Sequence, residues 1–130
     1  MGSLRSRNRA LGDRATRDPA ARPDPEGLEA ARDYALRLES LPDVERVVLF
    51  GSRARGDAGR DSDIDVLVVV RRETPELRRL LLDAAFEVSM ERGCWLVPAI
   101  CPADEVDGPV GRYDPFYLSV AKEGVLVGGG

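Results

Sequence analysis

A chain of 130 residues is long enough for one folded domain and too short for two with cores of their own. With 43% hydrophobic and 32% charged residues it has a globular composition, and its longest apolar run, Val66 to Val70, falls far short of the roughly 18 residues a membrane span requires. There is no histidine, so imidazole ligands and histidine acid–base chemistry are excluded; any reaction must use carboxylates, hydroxyls, arginine or a bound ion.

The net charge of −4 is unevenly spread. Six arginines against Asp13, Asp18 and Asp24 give the first 25 residues +3, which leaves −7 for the rest. An acidic body argues against a nucleic-acid partner. Residues 1–23 lack the apolar stretch of a secretory signal, and their Arg, Pro and Asp content suits a disordered basic tail on a cytoplasmic protein. The folded domain is expected over residues 24–127, with 128–130 a flexible glycine end. Cys94 and Cys101 are seven apart on what reads as one strand, so they should face opposite ways and remain unbonded.

In chain order, Asp24-Pro25 predicts a helix start, with Leu28, Ala31, Ala35 and Leu38 on one face and an end near Ser40. A strand is predicted from Arg46 to Phe50, followed by Gly51 and Ser52 at a turn into a helix and a loop from Gly56 to Asp61. The next strand, Ile64 to Val70, is apolar on both faces beyond its first carboxylates, as expected in mid-sheet. Thr74-Pro75 opens a helix whose buried stripe is read as Leu77, Leu80, Leu81, Ala84 and Val88, closed by Arg92-Gly93. Cys94 to Ile100 reads as a strand in which Pro98 points to an edge or bulge, and in which Trp95 is expected in the core. Asp114-Pro115 opens a last helix through Lys122, and Val125 to Val127 forms a small final strand. These elements make an α/β (α+β) domain: a small mixed sheet of three to four strands flanked by helices.

Residues two apart on a strand point the same way, so Asp63 and Asp65 project from one face. Adjacent like charges are costly unless a cation lies between them, and oxygen ligands shared with phosphates and water suit magnesium. Gly51 lets a phosphate approach the backbone, Ser52 offers a hydroxyl, and Arg53 and Arg55 are placed to neutralise phosphate charge. The pattern is that of a site for a nucleoside triphosphate and a divalent metal.

Gly51-Ser52, ten intervening residues and Asp63-x-Asp65 together resemble the signature of the DNA polymerase beta-like nucleotidyltransferases. The flanking Ser-Arg-Ala-Arg-Gly and Ser-Asp-Ile-Asp-Val resemble its minimal nucleotidyltransferase branch. The resemblance implies the nucleotidyltransferase fold, Gly51 and Ser52 binding ATP or another triphosphate, and Asp63 and Asp65 as catalytic ligands of Mg2+. It implies transfer of a nucleoside monophosphate, AMP above all, to a hydroxyl. It also implies an antitoxin role beside a HEPN-domain toxin, in some relatives by adenylylating that toxin. Members carry a third carboxylate on the following strand, and here that strand holds no acid. Glu87, Glu91, Asp104 and Glu105 are the nearest candidates, so a protein that binds nucleotide or partner without turnover is the alternative.

Overall fold

A computed structural model describes residues 22–59 and 61–129. The expected tail, residues 1–23, falls almost wholly outside them. Three helices begin the same way, with an oxygen-bearing cap followed by proline. Asp24 accepts from Gly27 N–H at the start of α1 (Pro25–Arg37), Thr74 from Leu77 N–H at the start of α3 (Pro75–Arg92), and Asp114 from Phe116 N–H at the start of α5 (Pro115–Glu123). Proline costs nothing there because its missing N–H would have had no partner in the first turn. Gly93, at φ +69°, ends α3 in the left-handed region.

Between the helices run β1 (Val44–Phe50), the single-turn α2 (Ser52–Arg55), β2 (Ile64–Val70) and β3 (Leu96–Pro102). A short α4 (Ala103–Val106), a 3-10 turn (Gly111–Tyr113) and β4 (Val125–Gly129) complete the chain. The four strands form one mixed sheet in the order β3-β2-β1-β4, with β2 and β3 parallel and the other neighbours antiparallel. Alternation along the central strands divides the apolar residues between two faces. Val47, Leu49, Ile64, Val66 and Val68 pack under α1 and α3, whereas Val48, Leu67 and Val69 meet Val106, Tyr117 and Val120. The sheet is thus covered on both sides, which explains the unbroken apolar run of β2.

Several expectations are corrected. Leu80 is 44% exposed; the buried stripe of α3 is Leu77, Leu81, Ala85, Val88 and Ser89, because the helix winds Leu80 and Ala84 toward its flank. Trp95 is 60% exposed, since β3 starts at Leu96, two residues after the expected Cys94, and Trp95 precedes the strand. Gly128 and Gly129, expected to be loose, lie in β4 opposite Val47 and Arg46. A Cβ on Gly128 would stand 2.8 Å from that of Ala35, so α1 packs against β4 only because the position is bare. The cysteines do face opposite clusters, Cys94 beside the first and Cys101 beside the second, and both are free.

β3 is an edge strand, as Pro98 indicated. Ser89 Oγ accepts from Leu96 N–H at 2.9 Å and donates to the Ala85 carbonyl at 2.8 Å. Leu96 therefore turns its N–H away from β2, and Pro98 and Pro102, at the same parity, have none to offer. The open side of β3 is left poor in donors, which discourages pairing with another strand.

Candidate active site

The end of β1, the turn through α2 and the beginning of β2 converge at one end of the sheet. Phe50 is in register with Asp65, so the chain leaves β1 beside the residue that begins the polar end of β2. Gly51 makes the exit at φ +77° and ψ −158°, a conformation essentially reserved for glycine. A Cβ there would lie 2.7 Å from Asp65 Oδ2. The turn is therefore built around the Asp65 carboxylate, and Gly51 is what allows it. Ser52 follows, half-buried, its carbonyl accepting from Gly56 N–H at 2.9 Å.

Asp63 lies one residue before β2 and is exposed, while Asp65 is half-buried. Burial raises the Asp65 carboxyl above its usual range, the Asp63 charge raises it further, and Arg55 opposes both. A hard-oxygen pair with one member half-buried fits a cation such as Mg2+, which would complete its shell with phosphate oxygens and water. Leu67 and Val69 enter the second cluster, so Asp65 shares the face covered in part by α5, where Phe116 meets Phe50 edge-on at 5.4 Å.

The two arginines of the turn behave differently. Arg53 points inward, with its side chain 4% exposed, in an ion pair with Asp24. Its Nε and Nη2 donate to the Ser62 carbonyl at 3.2 and 2.9 Å. It ties the entry of α1 and the loop before β2 to the turn. Arg55 is 44% exposed and pairs with Asp57 at 3.1 Å and with Glu123 at 3.0 Å. It remains on the site side of the molecule, close enough to act on Asp65.

The acids considered for a third ligand are held elsewhere. Glu91 pairs with Arg37 at 2.6 Å, and Glu87 approaches the same guanidinium at 3.9 Å on the α1 side of the sheet. Glu105 accepts from the Tyr117 hydroxyl, and Asp104 lines a cavity with Glu45, Asp107 and Arg112. Among the described residues no group of three potential ligands is assembled. Two further residues stand near these groups: Val97, in register with Asp65, and Glu123, paired with Arg55.

The nucleotidyltransferase domain family model matches residues 29–95, about half of the chain. The Methanocaldococcus jannaschii protein called "Putative protein adenylyltransferase MJ0141" is 54% identical over 53 residues, which are 39% of this chain and 52% of that one. The chain thus spans about half the length of this curated relative. The solved structure of a toxin–antitoxin with AMP-PNP superposes at a TM-score of 0.51 with 19% identity, covering 76% of this chain and 73% of that one, a likeness of fold. The crystal structure of "a putative nucleotidyltransferase from Sulfolobus solfataricus" aligns over 97% of this chain and 86% of its own at 22% identity, with a TM-score of 0.44.

Proposed function

The chain belongs to the nucleotidyltransferase domain family, and from that premise we propose that it transfers AMP from ATP to a hydroxyl of a partner protein. The observation that carries this is the fit of Gly51 around Asp65: a bare backbone position of glycine-only conformation set directly against a half-buried carboxylate. Gly51 and Ser52 take the triphosphate, Arg55 screens its charge, and Asp63 and Asp65 hold the Mg2+ that accompanies it. The acceptor oxygen bonds to the α-phosphorus, the bond from that phosphorus to the bridging oxygen breaks, pyrophosphate leaves, and the hydroxyl proton passes to solvent.

Adenylyl transfer is supported by the name of the curated relative, and a protein partner by the toxin–antitoxin assembly that shares the fold. A HEPN-domain toxin is the partner proposed, in the cytoplasm. No helix among the described residues is long and apolar enough to cross a membrane. A second reading, nucleotide and partner binding without turnover, is favoured by Val97 at the β3 position in register with Asp65.

Incubating the chain with ATP labelled at the α-phosphate, Mg2+ and the product of the adjacent gene tests both. Label on the partner that disappears with Asp63→Asn and Asp65→Asn is the expected result. Stable complex formation with no label under any condition would establish the second reading instead.

A further inference from the structure

The Asp65 carboxylate lies between two apolar neighbours. Phe50 on β1 and Val97 on β3 are its registered partners, and adjacent strands stand about 4.8 Å apart. Face parity places Val97 beside it: Ala99 and Cys101 on β3 enter the same cluster as Leu67 and Val69 on β2, and Val97 and Asp65 are each two residues earlier. Val97 is 43% exposed, so this flank of the site opens to solvent.

One magnesium ion is satisfied by one or two carboxylates when phosphates and water supply the other ligands. Two cations held about 3.5–4 Å apart, as in two-metal phosphoryl transfer, have to share a larger set of protein oxygens. Here Glu91 is engaged with Arg37, Glu105 with Tyr117 and Glu123 with Arg55, and the β3 position in register with Asp65 carries two methyl groups.

We propose that the site holds a single divalent cation per bound nucleotide, and that Val97 is the residue that sets this number. The inference rests on the nucleotide and metal assignment above. It makes β3, through one side chain, the element that sets how many cations accompany the nucleotide. Replacement of Val97 by aspartate places a carboxylate on an open edge strand, where no buried charge is created.

The test uses the full chain with Mn2+ and AMP-PNP, counting bound Mn2+ by electron paramagnetic resonance and bound nucleotide by calorimetry, with circular dichroism to check folding. The parent should bind one Mn2+ per nucleotide, folded Val97→Asp two, and Val97→Asn one. Two Mn2+ per nucleotide in the parent, or one in folded Val97→Asp, overturns the proposal. Absence of nucleotide-dependent Mn2+ binding, or binding that survives Asp63→Asn with Asp65→Asn, overturns the site assignment itself.

Discussion

Gly51 and Asp65 are in such close apposition that a methyl group on the glycine would reach 2.7 Å from Asp65 Oδ2. The contact joins the turn after β1 to the start of β2 and makes each position depend on the other. Gly51→Ala incurs both the backbone penalty at φ +77° and displacement of the carboxylate. We expect a loss of about 2–3 kcal/mol by urea unfolding, and a larger proportional loss of ATP affinity by calorimetry.

Asp65 is held above the usual carboxylate range mainly by burial and then by Asp63. A raised folded-state value means that ionising Asp65 opposes folding: stability is greatest below the unfolded value near 3.8 and declines as pH rises through the folded one. Asp65→Asn should therefore raise the melting temperature of the cation-free chain at neutral pH, by about 1–4 °C, while abolishing Mn2+ binding. For the parent, cation affinity should begin to fall on acidification at a higher pH than an ordinary aspartate would give, measured by Mn2+ titration from pH 7 downward.

Arg53 holds Asp24 and the Ser62 carbonyl from a nearly buried position. Lysine cannot reproduce a guanidinium that serves a carboxylate and a carbonyl together. Arg53→Lys should cost about 2–3 kcal/mol in chemical denaturation and accelerate hydrogen exchange in the loop before β2. Arg55→Lys, on the exposed side of the same turn, should leave stability within about 0.5 kcal/mol and lower ATP affinity.

Arg46 is fully buried in β1, and its Nη2 makes 2.8 Å contacts to both oxygens of Asp107. Its Nε and Nη1 have no hydrogen-bond partner among the described residues. Asp107→Ala would leave the cation uncompensated, at a cost of about 3–5 kcal/mol, whereas replacing both residues by apolar ones of similar volume should recover most of it. Paired denaturation curves for the single and double variants check this. ATP affinity should be unchanged in the double variant, because Asp107 follows β3 at the end of the sheet away from Gly51.

Ser89 occupies a helical position where a small polar residue gives no warning of importance. Its hydroxyl is the acceptor for Leu96 N–H at the sheet edge. Ser89→Ala should cost about 1–2 kcal/mol and expose an edge donor, visible as concentration-dependent association in light scattering.

Local chemistry made much of this molecule legible in its sequence. The three cap-and-proline helix starts, the apolar run of β2, and Gly51-Ser52 with Asp63-x-Asp65 each depend on neighbours in the chain, so they can be read without knowing what packs across from them. Trp95, Leu80 and Arg53 could not be read that way. Whether Trp95 faces core or solvent depends on where β3 enters the sheet, which is set by Ile64 N–H bonding to the Trp95 carbonyl across strands. That Arg53 turns inward depends on Asp24, 29 residues earlier. The sequence by itself determined the family, the strand–turn–strand frame and the neighbouring carboxylates Asp63 and Asp65 within it. Only the tertiary structure decided that the β3 residue beside Asp65 is Val97. Register between β2 and β3 is a long-range property, fixed by backbone pairing and helix packing between segments about 30 residues apart in the chain.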